Sequence, residues 1–259
     1  MELTKLLTPR GLRVLEGRDP KLCGALSQED RRFVAADGLL ARGPCLALLS
    51  ELERAVRPAL RRMEDPIPEW TIRAMEQNYA ELLPKTVRVQ TAMLESRRAR
   101  AYRAAEEIGL VSLLRSPDFH RFAEALTGRK LKKGWGIQTL CYATGDYAGP
   151  HNDHHPEEPE AKNGYVDVHL TLCTPAVAHQ WLVYERDAHF SHMHSVRTLG
   201  GVTAYRLPFW HYTTPLVARP GQEADARRWV LLGTFLYVDA GQPAGAGTGA
   251  SAKGRTRKG

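Results

Sequence analysis

Nine of the ten histidines fall between positions 151 and 211, and only His120 lies elsewhere. Histidine offers a neutral nitrogen ligand near neutral pH, so this concentration points toward metal chemistry. Within it, residues 141–155 read CYATGDYAGPHNDHH and hold an H-x-D pair, His151 and Asp153. Alternate residues of a strand share a face, so an H-x-D at a strand end would present an imidazole and a carboxylate to adjacent corners of one ion. That spacing is common by itself and takes its weight from two downstream segments. His211 closes the apolar stretch GGVTAYRLPFW, and Arg228 opens RWVLLGTFLYV. A second histidine from a facing strand would complete a set of two histidines and one carboxylate, which suits Fe(II) and leaves three positions open for O2 and for substrate-like ligands. His154 and His155 are rival ligands, His155 sharing the parity of Asp153. His179, His189, His192 and His194 read as partly exposed polar residues of strands and loops.

Such a cluster needs a rigid frame, and the texture of the chain changes near Gly128 to provide one. Residues 135–143, 165–173, 179–185, 200–209 and 228–238 are β-branched and aromatic, and Gly, Pro, Asn and Asp separate them. Several short strands with no helical pattern between them predict an antiparallel barrel or sandwich. The first half reads as helical. Residues 43–63 carry apolar positions at helical spacing with Pro58 as a break, and Ile72, Met75, Tyr79 and Leu82 form a stripe that ends at Pro84. A further helix is expected from there to about Gly109, through Met93, Tyr102, Ala105 and Ile108. Ser116-Pro117-Asp118 is an N-cap signature, Phe119, Phe122 and Leu126 share one face, and Gly128 is placed to stop the helix. The expected class is α+β: a helical layer over 1–130, a β core over 131–240, and a disordered Gly/Ala-rich basic tail over 241–259.

In this frame the sequence resembles the 2-oxoglutarate-dependent Fe(II) oxygenase superfamily, most closely its prolyl-hydroxylase-like branch. The elements that carry the resemblance read LCYATGDYAGPHND, VTAYRLPFWHYTTPL and RRWVLLGTFLY, within residues 135–239. The resemblance implies a double-stranded β-helix (jelly-roll) core with His151, Asp153 and His211 as iron ligands. It also implies that Arg228 pairs with the distal carboxylate of 2-oxoglutarate, a task suited to the guanidinium fork, while the Tyr142 phenol hydrogen-bonds the co-substrate. The implied reaction consumes O2 and 2-oxoglutarate, releases succinate and CO2, and hydroxylates a C–H bond. The chain departs from the family in one respect: His211 and Arg228 are 17 positions apart, where a short hairpin is usual. Arg219 lies within that stretch and competes for the role, but it precedes Pro-Gly in a loop, whereas Arg228 opens a strand.

Two other function classes have some footing in the sequence. The His/Asp cluster could serve a zinc hydrolase, although neither H-E-x-x-H nor H-x-H-x-D-H is present. A nucleic-acid-binding module would use Arg97, Arg98, Arg100 and Arg103, but a charged helical face of this kind is usually simply solvated. The formal charge of +7 includes Lys253, Arg255, Arg257 and Lys258 of the tail, leaving +3 for the rest, so a small-molecule or peptide substrate is expected rather than nucleic acid. Trp135, Trp181, Arg186 and Arg197 are candidates to border the pocket. The four cysteines show no C-x-x-C spacing, and no signal-type or membrane-spanning run occurs. Together these fit a cytoplasmic protein with reduced thiols and no membrane partner.

Overall fold

The computed structural model describes residues 1–28, 30–66, 86–153, 164–187 and 189–238. The expected stripe over 70–82, the rival ligands His154 and His155, and the tail over 241–259 lie outside these residues. In the N-terminal half, the helices are α1 (Leu3–Leu6), α2 (Pro9–Leu15), α3 (Arg42–Glu51), α4 (Arg100–Glu107), α5 (Leu110–Leu114) and α6 (Pro117–Thr127). Strands β1 (Phe33–Ala36), β2 (Arg61–Pro66) and β3 (Thr86–Met93) are interspersed with them. The remainder comprises β4 (Gly136–Ala143), β5 (Tyr147–His151), β6 (Tyr165–Cys173), β7 (Val177–His179), β8 (Trp181–Arg186) and β9 (His189–Ser195). It continues through β10 (Leu199–Leu207), β11 (His211–Thr213), β12 (Val217–Ala218) and β13 (Arg227–Leu236).

The strands run in the order β1-β10-β6-β13-β4-β3-β5-β11-β8-β9, with antiparallel pairing throughout the described residues. The result is a nearly closed barrel of jelly-roll type. Its two halves, β10-β6-β13-β4 and β5-β11-β8-β9, face each other, and β3 links them by pairing with β4 through Gln90–Met93 and with β5 through Val87 and Arg88. Here the structure corrects the expected helix over 84–109. Residues 86–93 read TVRVQTAM, whose β-branched side chains fit a pleated surface better than a helix, and the helix proper is confined to α4. Residues 43–63 also resolve into more than one element. After α3 comes one π-helical stretch, Leu52–Val56, and a 3-10 turn at Arg57–Ala59 around Pro58, and β2 begins at Arg61.

Strand β6 is buried along its whole length because both of its faces are covered. Val166, Val168, Leu170 and Leu172 point outward into a core shared with Phe119, Phe122 and Leu126 of α6. The alternate residues Asp167 and His169 line the barrel cavity instead. Helix α6 starts where Ser116 caps it, the hydroxyl accepting from Phe119 N at 3.0 Å, and ends at Gly128 in the left-handed region (φ 65°). No helix among the described residues is long and apolar enough to cross a membrane.

Candidate metal centre

His151 is the last residue of β5 and His211 the first of β11, and the two are directly paired across the strands. Their rings therefore lie side by side, with centroids 4.4 Å apart. This arrangement differs in two details from what the sequence led us to expect. His211 does not end the strand GGVTAYRLPFW: β10 stops at Leu207, before Pro208, and His211 begins a strand of its own on the opposite half of the barrel. Asp153 shares the site for a reason other than strand alternation. It lies beyond the end of β5 in the left-handed conformation (φ 51°), which aspartate tolerates better than most residues, and the turn swings its carboxylate toward both imidazoles.

The hydrogen bonds define the ring chemistry. His151 Nδ1 lies 2.6 Å from Gly149 O, and His211 Nδ1 lies 2.8 Å from Phe209 O. A carbonyl can only accept, so Nδ1 carries the proton in both rings and the Nε2 lone pairs are bare when the rings are neutral. Those Nε2 atoms lie 3.4 and 3.6 Å from the two Asp153 oxygens. Burial and the neighbouring His151 hold His211 down to about 4, so it is neutral at physiological pH. Two lone pairs and a carboxylate facing one another repel unless a cation sits among them. One ligand atom from each of the three residues falls within 4.8 Å of the others. The donor set fits a divalent transition metal with an open coordination face.

The cluster opens into a cavity of about 480 Å³ that also receives Tyr142, Asp167, His169 and Arg228. Arg228 sits near the start of β13 beside Tyr142 of β4 and is 4% exposed. Its guanidinium lies over the Tyr142 ring at 5.0 Å, and its Nη1 donates to Gln180 Oε1 at 3.1 Å. The Gln180 amide nitrogen donates to Asp146 O and Thr214 O, which turns Oε1 toward the arginine. Arg228 Nε is buried without a hydrogen-bond partner, and no carboxylate among the described residues pairs with this cation. Arg219, the competing arginine, is exposed just after β12, and Arg227 faces away from the cavity beside Glu53 and Arg57. The 17-residue separation is built from β11 and β12, the latter pairing with β7 in a small separate sheet. Burial raises the Tyr142 phenol, opposed by the Arg228 charge and a hydrogen bond with Thr213, so it is a neutral phenol at physiological pH.

The barrel architecture can be set beside known proteins. No protein-family model matches the sequence, and neither does any curated protein. Among solved structures, the α-ketoglutarate-dependent carbocyclase SnoK from nogalamycin biosynthesis aligns over 87% of this chain and 86% of its own, at 12% identity and a TM-score of 0.55. A prolyl hydroxylase from Trichoplax adhaerens, in complex with a hypoxia-inducible-factor peptide, aligns over 90% and 95% at 13% identity and a TM-score of 0.52. A prolyl 4-hydroxylase from Phytophthora capsici gives 91%, 68%, 17% and 0.52 for the same quantities. The chain has the fold of the 2-oxoglutarate/Fe(II) oxygenases. At such identities the likeness extends to the fold, and the chemistry must be argued from the residues.

Within that oxygenase fold, the other residues considered from sequence take different places. Trp135 stacks on His120 and donates to Leu114 O at 2.9 Å, and Arg197 donates to Ala178 O, so both serve the scaffold. Trp181 and Arg186 do not line the cavity either. His179 and His189 are exposed, and His192 and His194 are partly buried on the edge strand β9. Asp167, His169 and Gln180 were not among the residues expected from sequence. The first two carried a visible signal: in YVDVHLTLC, polar residues at 167, 169 and 171 alternate with apolar ones, the pattern of a strand with one polar buried face.

Proposed function

We propose that this protein is a 2-oxoglutarate-dependent Fe(II) oxygenase that hydroxylates a C–H bond of an organic substrate, a small molecule or peptide, with release of succinate and CO2. The architecture is read accordingly as a double-stranded β-helix supported by an N-terminal helical layer. One observation carries the proposal: the cavity that holds the His151–Asp153–His211 cluster also holds a buried guanidinium, Arg228, that has no carboxylate partner among the described residues. A buried, uncompensated charge costs several kcal/mol in the low-dielectric interior, so its position calls for an anionic ligand. A zinc hydrolase would use the same three donors but gives that arginine no task.

His151 and His211 would each present Nε2 to the iron, their Nδ1 protons held by backbone carbonyls, and Asp153 would supply the charge-balancing oxygen. Arg228, oriented by Gln180, would receive the distal carboxylate of 2-oxoglutarate, with Tyr142 beneath it. Bound iron and 2-oxoglutarate together would supply O2 activation, with decarboxylation to succinate and transfer of one oxygen atom to the substrate. Leu182, Val196, Val230 and Leu232 line the same space and would keep bulk water from the reacting centre. Anaerobic titration of the Fe(II) protein with 2-oxoglutarate tests the reading: a weak visible band should develop, and oxygen should then yield succinate. His151→Ala should abolish both. A wild-type protein that shows no band, or succinate formation that survives His151→Ala, would overturn the assignment.

A further inference from the structure

The polar residues of β6 have no part in the chemistry described above, yet they occupy the cavity. Asp167 is 5% exposed, and its Oδ1 accepts from the Thr234 hydroxyl at 2.6 Å. Among the described residues no lysine, arginine or histidine forms an ion pair with it. His169, two residues along on the same face, is 7% exposed; its Nδ1 meets Tyr205 Oη at 3.1 Å, and its Nε2 has no partner among the described residues. Elsewhere the inner wall of β13 is apolar, with Val230 and Leu232 on the same face. Packing alone would therefore favour aliphatic residues at 167 and 169, because each polar side chain there costs free energy until its remaining hydrogen-bonding capacity is met.

The strand registers place Asp167 well away from the co-substrate end, with His169 between the two. Arg228 is level with Cys173 on β6, whereas Thr234 at the far end of β13 is level with Asp167. Six residue steps of strand thus separate the level of Arg228 from that of Asp167, roughly 20 Å at 3.3–3.4 Å per residue. The charges differ in the same way. Fe(II), Asp153, the two carboxylates of 2-oxoglutarate and Arg228 sum to zero, so none of them compensates Asp167.

We propose that Asp167 and His169 form the substrate-recognition pair of this cavity and that the group they receive is a cationic amine nitrogen of the substrate. An ammonium suits the free acceptor capacity: it donates to the Asp167 carboxylate and to His169 Nε2, with His169 Nδ1 donating to Tyr205. It also supplies the missing counter-charge. Burial, with the nearby Asp153 charge, pushes the empty Asp167 carboxyl up to about 8, the behaviour of an acid without a cation beside it. This inference deepens the oxygenase reading and rests on it for the word substrate, whereas the binding itself depends only on β6.

The test compares n-pentylammonium with 1-pentanol, matched in size and differing in charge, as ligands in calorimetric titrations. Both the metal-free protein and the anaerobic Fe(II), 2-oxoglutarate-loaded protein are titrated. The amine should bind at least about tenfold more tightly than the alcohol, and Asp167→Asn should erase that preference while 2-oxoglutarate affinity stays within about twofold. His169→Gln should weaken the amine roughly three- to tenfold, a second variant that keeps Asp167 and hydrogen-bonding capacity in place. Retained 2-oxoglutarate binding, or in the metal-free protein a cooperative unfolding transition, shows that each variant is folded. Equal binding of amine and alcohol, or an amine preference that survives Asp167→Asn, would overturn the inference. Loss of the iron and 2-oxoglutarate band in the wild-type protein would instead count against the oxygenase reading, and the metal-free titration would still decide the role of Asp167.

Discussion

Arg228 combines features that seldom coexist in a folded interior: near-complete burial, a fixed charge, one neutral hydrogen-bond partner and an aromatic face. Such a residue weakens the empty protein and strengthens the ligand complex, so the two effects should separate on substitution. Arg228→Gln should weaken 2-oxoglutarate binding by about 30-fold or more, corresponding to about 2 kcal/mol for removing one partner of a buried charge pair. The stability of the empty protein should stay within about 1 kcal/mol or rise, since no buried ion pair is broken. Titration calorimetry and urea unfolding of the same variant read both quantities, and strong destabilisation with unchanged co-substrate affinity would assign Arg228 to the scaffold. At this scale the sequence was informative where residue type limits chemistry. His151, Asp153, His211, Tyr142 and Arg228 could be selected from it, and they line one cavity. Gln180 could not: a glutamine becomes significant only when two backbone carbonyls fix its amide and aim its oxygen at a cation.

Elements were legible in proportion to how far their own residues determine them. Strand β6 coincides with the stretch 165–173 read from its β-branched run, and β13 and β10 lie within two residues of their expected bounds, because each is hydrophobic enough to signal itself. The short strands β1 and β11 and the polar edge strand β9 carry little such signal and take their form from neighbours already in place. Strand β3 was misread because the apolar positions of α4 could be extended backward through Met93 at helical spacing, whereas its pairing with both β4 and β5 is a long-range fact. Helix α6 shows how a helix is fitted to the barrel. It lays Phe119 on Gly233 of β13, where an added Cβ would come within 2.6 Å of Phe119 Cε1 and 3.0 Å of Phe235 Cε2. Phe119 and Phe235 are both fully buried, so neither ring can move aside without disturbing the core. Gly233→Ala should therefore destabilise the protein by about 1–3 kcal/mol through overpacking. Because residue 233 faces away from the cavity, 2-oxoglutarate affinity should be unchanged. An unaltered urea midpoint would show that the helix and sheet are less tightly docked than this contact implies.

For the whole molecule, the cavity's buried titratable groups predict how stability depends on pH when no metal is bound. His169 is lowered to about 3 by burial, then by the charges of Arg228 and His211, and His211 is lowered to about 4. Below the ordinary histidine value of 6.5, the unfolded chain takes up two protons that the folded chain refuses until these lower values. Their contribution is complete above pH 6.5 and is lost as pH falls toward 4 and 3. Asp167 acts in the opposite sense. Its folded form keeps a proton from the ordinary value of 3.8 up to about 8, so its contribution is complete at low pH and is lost as pH rises through that window. Between pH 4 and 6.5 the two histidines outweigh the one aspartate; between 6.5 and 8 the aspartate acts alone. The contribution of these three groups therefore rises with pH to near 6.5 and then declines, each limb approaching about 1.4 kcal/mol per pH unit at its steepest. Urea unfolding of metal-free protein at pH 5, 6.5 and 8 should trace that maximum. Asp167→Asn should flatten the alkaline limb and leave the acid limb in place, because it removes the single group of the three that titrates above 6.5 and spares both histidines. An alkaline limb that persists in the variant would mean that the Asp167 carboxyl is already ionised in the empty cavity, and its counter-charge would then have to be sought within the protein.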